Sequence, residues 1–400
     1  MRTLFVLLFS ASLLPAADVP IAHFRMQEIA TDLKIGYAVL IHDIDEDGKP
    51  DIVVVDKHRV VWYQNPTWKV RTILTGTTKP DNVCIAAMEI DGDGHTDLIL
   101  GADWAPFDTK AGGTLQWLKR GKTLDEEWSI HPITTEPTVH RVRVYDRSGS
   151  GDMRILLGPL MGRESSKDNN WIDGRPVRML SFAVPADPVK GPWKAEAIDE
   201  NLHVVHNFFP VKGGKGEPDA IVTASYDGVH RLSVDRRGKW NSEKLGEGDQ
   251  SNPKGSRGAS EIRQGSLGKN GPVIGTIEPW HGNRVVVYTP GKTSGLWTRR
   301  VVDEQLRWGH AVAFADLDGD GIDELIVGVR DNPAKGDTFR EKCGIRAYRI
   351  GDAVSRQMID DGGIACEDMV VGDLDGDGRP DIVAVGRATG NVRIYWNRKE

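Results

Sequence analysis

Four stretches of this chain set carboxylates at alternate positions and interrupt them with glycine: "DIDEDGKPD" (43–51), "EIDGDGHTD" (89–97), "DLDGDGIDE" (316–324) and "DLDGDGRPD" (373–381). Positions 1, 3, 5 and 9 are Asp43, Asp45, Asp47 and Asp51, then Glu89, Asp91, Asp93 and Asp97. In the later copies they are Asp316, Asp318, Asp320 and Glu324, then Asp373, Asp375, Asp377 and Asp381. Alternate residues of a tight turn point the same way, and glycine supplies the positive φ such a turn needs. Clustered hard oxygens suit Ca2+, which takes roughly 6–8 of them. An EF-hand would need a Glu at about position 12 and flanking helices; here strand-like runs such as "IVVV" (52–55) and "LIVGV" (325–329) follow the turn. A fifth copy, "YDRSGSGDMRILLGP" (145–159), has Ser148 and Ser150 at two acid positions and is not expected to bind. Four bound Ca2+ would add eight positive charges to a formal net charge of −7.

A second set of residues stands in register with these turns. Six positions ahead of the first acid lie Tyr37, His140, His310 and Glu367. His206 and Glu261 take the matching places in two units whose turn has degraded, and Asn82 lies near it in another. Aligning "DENLHVVH" (199–206) with "DEQLRWGH" (303–310) supports His206. Three imidazoles can hold a transition metal such as Zn2+, so His140, His206 and His310 are candidate ligands, with Glu261 or Glu367 as base. Tyr226 and His281 are then the acid/base candidates, and Arg330 and Arg387 the groups that would stabilise an enolate. Tyr37, Lys57, Trp104, Arg163, Glu278 and Trp280 are the expected substrate contacts, since Trp faces stack on sugar rings and Arg holds carboxylates. The chain carries no Ser/His/Asp spacing, nucleophile elbow, P-loop or dinucleotide fingerprint.

The elements that must position these residues repeat. Seven units are discernible, five with a recognisable turn and two, "GEPDAIVTASY" (216–226) and "KNGPVIGTIEP" (269–279), that keep only the strand after it. Each is followed by another alternating run, from "HRVVWYQN" (58–65) to "NVRIYWNR" (391–398). A fourth run, such as "WKVRTIL" (68–74) or "WTRRVV" (297–302), follows six of the seven; the missing one is "HFRMQEIA" (23–30), at the other end of the chain. A period of roughly fifty residues with four strands per unit predicts radial blades. The fold expected is all-β: a seven-bladed β-propeller whose last blade is closed by the N-terminal strand. A pair of sandwiches would not displace the fourth strand. In such a propeller the acidic hairpins lie on one face, and the His/Glu set rings the channel mouth on the other.

The bulk properties fit an exported globular chain. Of 400 residues 39% are hydrophobic and 27% charged, with 45 glycines and 21 prolines suiting short strands and tight turns. "MRTLFVLLFSASLLPAAD" reads as a signal peptide over 1–17, and 18–400 as one propeller domain, secreted or periplasmic. No other stretch is apolar for long enough to span a bilayer. The acidic balance and the absence of a basic block exclude nucleic acid as a partner. Cys84, Cys343 and Cys366 have no metal-type spacing; buried thiols or one incidental disulfide are expected.

The D-x-D-G-D-G-x-x-D hairpins resemble the FG-GAP/VCBS repeats of integrin-type propellers over nearly the whole mature chain, which implies the fold and little about function. "IEPWHGNRVVVYTP" (277–290) and "RWGHAVAFADLDGDGIDELIVGVRDNP" (307–333) are similar to the propeller of aldos-2-ulose dehydratases, most strongly over the last three blades. Those enzymes dehydrate keto-sugars such as anhydrofructose; their cupin domains have no counterpart in this sequence, so the resemblance extends to the propeller and does not carry the isomerase half of the activity. The expected function is a carbohydrate lyase or dehydratase working by β-elimination on a keto-sugar or uronate. The alternative is a non-catalytic glycan- or protein-binding propeller.

Overall fold

The computed structural model describes residues 17–291, 295–330 and 342–399. Its organising feature is visible in the strand Asp51–Asp56, which is buried at every position. Side chains of a strand alternate between two faces, and here both faces are covered. Ile52 and Val54 pack against Val383, Val385, Val392 and Ile394 of the last unit. Val53 and Val55 pack toward Leu98 and Leu100 of the next unit. Sheets stacked face to face around a ring explain why these strands are continuous apolar runs.

There are seven such sheets. Blade I is a meander of Gly36–His42, Asp51–Asp56, Arg59–Gln64 and Lys69–Thr75. The innermost strands of blades II to VII are Cys84–Met88, Val139–Asp146, Asn207–Val211, Ile262–Ser266, Gly309–Ala315 and Cys366–Gly372. Each inner strand touches the next, and that of blade VII touches that of blade I, so the ring closes. The apolar core is correspondingly divided into layers between neighbouring blades.

Closure follows the displaced-strand expectation. His23–Ala30 pairs antiparallel with Val392–Arg398 as the outer strand of blade VII. Glu28 fastens it through hydrogen bonds from Asn391 Nδ2 (2.8 Å) and Arg393 Nε (2.7 Å). Not foreseen is Ala17–Asp18, which adds a short parallel strand beside Val354–Asp361 of blade VI. The leader expected over 1–17 lies, but for Ala17, outside the described residues. No disulfide forms among the described residues: Cys84, Cys343 and Cys366 are each buried as a thiol. No described helix is long and apolar enough to cross a membrane.

Candidate functional site

The acidic phrases form the hairpins between first and second strands. The position-1 carboxylate caps the turn: Asp373 accepts the N–H groups of Gly376 and Gly378 (both 2.8 Å), and Asp316 those of Gly319 (2.7 Å) and Gly321 (2.9 Å). Gly376 and Gly378 have φ of 77° and 83°, and a Cβ on either would meet nothing within 4 Å. Backbone conformation, not space, therefore selects glycine. The position-9 acids Asp51, Asp97, Glu324 and Asp381 are fully buried and accept the position-2 N–H at 2.9–3.2 Å. Burial raises Asp51 and Asp381 to about 6 and Asp97 and Glu324 to about 7. Carboxylate oxygens converge within 4.8 Å in four groups: Asp43, Asp45 and Asp51; Glu89, Asp91 and Asp97; Asp316, Asp318 and Asp320; Asp373, Asp375 and Asp381. Asp47, Asp93 and Asp377 stand beside them, where each bonds the N–H two residues on (2.9–3.0 Å). One buried oxygen each of Asp45 and Asp91 has no hydrogen-bond partner. Donors from the third strand reach the position-3 acid: Gln64 to Asp45 (2.5 Å), Lys119 to Asp91 and Arg349 to Asp318. In the serine-bearing copy, Asp146 caps the turn and Ser148 bonds Ser150 (2.8 Å), with no converging acids.

At the opposite end of the inner strands the ladder register slips by one residue in four blades. The slipped residues are Tyr37, His140, His310 and Glu367. A bulge re-aims the extra side chain, so these four leave the blade faces for the channel. His206 and Glu261 stand just ahead of their inner strands, Asn207–Val211 and Ile262–Ser266.

Three imidazoles converge there, and they are His206, His281 and His310, each with a ring nitrogen within 4.8 Å of the others. This corrects the expected trio: His281 takes the place assigned to His140. The Nε2 atoms of His206 and His281 are 2.7 Å apart. His281 reaches in from the loop of blade V between Pro272–Glu278 and Arg284–Thr289, at a φ of 51°. The turn needs Gly282, where a Cβ would overlap the carbonyl of Glu278. Trp280 stacks on His281 with centroids 4.1 Å apart. His140 lies alongside, between Trp104 (4.9 Å, stacked) and His206 (4.8 Å, tilted).

The outer nitrogens are held. His206 Nδ1 is 2.9 Å from Glu261 Oε1, and His310 Nδ1 is 2.7 Å from the carbonyl of Glu367. The bond of His310 is of the kind that fixes tautomer and ring orientation in metal-ligating histidines; Glu261 stands beside His206 as a charge partner, without hydrogen-bond geometry. Burial keeps His281 and His310 well below the ordinary imidazole range, helped by the neighbouring histidines and by Arg330; His206 is lowered by burial despite Glu261. The cluster is therefore neutral, the form that ligates metal. Burial alone would raise Glu261, but His206 and Arg141 (3.5 Å) outweigh it and hold the carboxyl below its usual range. Asn207 Nδ2 adds a bond at 2.5 Å. Glu367 goes the other way: burial raises it in spite of Arg387 (2.8 Å) and Arg330 (3.7 Å).

Other expected contacts divide. Tyr37 donates to Asp81 (2.5 Å), which pairs with Lys57 (3.3 Å), and Arg387 lies over the Tyr37 ring at 5.3 Å. A polar rim thus runs from Lys57 to Glu367. Tyr226 is buried against Trp280 (6.1 Å, edge-on) and under Arg257; burial raises its phenol to about 12. Arg163 is tied to Glu136 (2.7 Å) and lines a separate surface hollow with Lys79 and Asp103. Glu278 is a correction. It is fully buried as the partner of Arg299 (2.6 Å), Tyr288 (2.6 Å) and Thr276 (3.0 Å), closed off from any substrate. Asn82 is structural too, bonded to Thr78 and the Asp56 carbonyl. Sequence reasoning missed Asp81, Arg141 and Trp308, whose ring centroid lies 6.3 Å from that of His281. Asp81 sits on a fourth-to-first-strand loop, between Lys69–Thr75 and Cys84–Met88, that opens on the same mouth.

Models described as FG-GAP-like repeat and FG-GAP repeat match residues 43–100 and 308–338. The chain carries FG-GAP repeats. A model of the aldos-2-ulose dehydratase β-propeller domain matches residues 112–293, which reach from blade II into blade V. Aldos-2-ulose dehydratase of Phanerodontia chrysosporium is 25% identical over 349 residues, covering 81% of this chain. The chain spans 37% of that relative's length. Two crystal structures of BBS1N in complex with ARL6DN, soaked with mercury or lead, share the fold at TM-scores of 0.55 and 0.54. They are 12% and 13% identical and are matched over 96% of this chain and 98% of theirs.

Proposed function

We propose that this FG-GAP propeller is an exported carbon–oxygen lyase that dehydrates a keto-sugar or uronate at the histidine end of its channel. The observation that carries the reading is the convergence of neutral His206, His281 and His310 beside a carboxyl of raised pKa, Glu367, flanked by two arginines. Similarity to the propeller of a sugar dehydratase points the same way.

The donor set fits a divalent transition metal, with Glu261 and the Glu367 carbonyl as outer partners; such an ion would polarise the keto oxygen of a bound sugar. Arg330 and Arg387 face the charge that develops as the enolate forms. Glu367 takes the proton from the carbon beside the carbonyl, and its raised pKa lets it return that proton to the departing hydroxyl. One C–H and one C–O bond break, a C=C bond forms, and water leaves. Glu261, held ionised by His206 and Arg141, orients the imidazole instead. We also assign Ca2+ to the four acidic hairpins, where it would hold the blade turns.

Metal-replete protein should be incubated with aldos-2-uloses and the ultraviolet absorbance of the unsaturated product followed. Turnover lost in Glu367→Gln supports the reading. No product from any keto-sugar or uronate, with sugars still bound, would make the chain a glycan-binding propeller.

A further inference from the structure

On the hairpin side of the histidines the axial channel holds a cavity of about 440 Å3, walled by the inner strands of all seven blades. Its walls are largely apolar, yet Arg141, Arg143 and Arg263 line it, and Asp368 is the one acid that does. Arg141 is offset by Glu261 at 3.5 Å. Arg143 and Arg263 form no ion pair among the described residues. Their hydrogen bonds go to the carbonyls of Val142 and Ile262 (both 2.8 Å), with Asn207 Oδ1 at 3.4 Å from Arg143. Both lie over the same ring, Phe209, at 5.4 and 3.8 Å from its centroid. The Nε atoms of Arg141 and Arg143 are buried without a partner.

Two guanidinium groups beside one shared aromatic ring, in a low-dielectric shaft, are under-compensated positive charge. Burial and Arg143 together pull Arg263 down to about 9, and burial with Arg141 lowers Arg143. An anion between them would relieve both effects, and each fork can donate two parallel N–H groups to an oxyanion. We propose that the cavity binds a small oxyanion, phosphate or a short dicarboxylate, through Arg143 of blade III and Arg263 of blade V. Nothing in this depends on the lyase reading, because the histidines and Glu367 do not line the cavity.

The test is calorimetric titration of the purified chain with sodium phosphate and, separately, malonate, at ionic strength fixed with sodium chloride. Saturable binding with Kd below about 1 mM is expected for at least one of them; which arm responds identifies the inorganic or the carboxylate source. Arg143→Gln/Arg263→Gln should weaken it at least about tenfold, and Asp368→Asn, which removes the competing acid, should tighten it. A chloride response equal to both, or double-variant binding equal to the parent's, overturns the proposal. If the double variant does not fold, unchanged or weaker binding by Asp368→Asn overturns it equally.

Discussion

The Nε2 atoms of His206 and His281 stand 2.7 Å apart although 75 residues separate them in the chain. One enters at the start of an inner strand and the other at the tip of a loop in the next blade. At this spacing two neutral imidazoles share a single proton or a single cation, so both rings depend on whatever holds their outer edges.

Glu261 does so for His206, and Glu261→Gln keeps the shape while removing the charge. Divalent-metal affinity should fall about 10–100-fold, read by competition with a chromophoric chelator. His281→Ala should lose the metal altogether. His140→Ala, whose ring stands outside the converging trio, should retain it. Equal retention by all three variants would mean that the cluster is not a metal site.

Calcium content should be about four ions per chain, because the serine-bearing hairpin of blade III has no converging acids. Asp375→Asn/Asp377→Asn should reduce it to about three. Each occupied site contributes about 2.7 kcal/mol when free Ca2+ is 100 times its Kd, so chelation should lower Tm. A chelator-insensitive Tm in a chain without calcium would remove the assignment.

The pH dependence of the metal-free protein isolates one acid. Asp97 is raised to about 7 in the folded chain against about 4 when unfolded. Between these values folding takes up a proton, so this group's effect on stability becomes less favourable as pH rises and levels off above 7. Asn at this position does not titrate. In chelator, the Tm of Asp97→Asn relative to the parent should therefore climb from pH 4 to 7. A difference that stays flat, or falls, would contradict the assigned environment. The buried histidines titrate with the opposite sign, which is why the comparison with the parent is required.

Ring closure rests on the layer between blades VII and I. Ile52 is fully buried there beside Val383 and Val385. Ile52→Ala should cost about 2–5 kcal/mol, measured from the urea midpoint. A loss near zero would mean that the layer relaxes around the cavity.

Much of this architecture is legible in one dimension. Hairpin acids, their glycines and the alternating runs are local features, so their recurrence counts seven blades. The six-to-seven mismatch in fourth strands placed His23–Ala30 in the last blade. The same register pointed to Tyr37, His140, His310 and Glu367, because the bulges that turn them inward occur at a constant distance from the turn.

Which of these side chains meet was decided by the tertiary structure. His281 lies on a loop whose reach depends on its own left-handed backbone and on the close approach of the Glu278 carbonyl at Gly282, and no spacing within the inner strands encodes it. Glu278 looked like a rim residue by position, but Arg299 on the outer strand of its own blade draws it into the sheet. Arg143 and Arg263 are each an ordinary inner-strand residue in their own blades, with nothing in the local pattern to mark them. Only closure of the ring sets two guanidinium groups over one phenylalanine. Local chemistry is written in the chain, whereas convergence across the channel is a property of seven blades meeting at one axis.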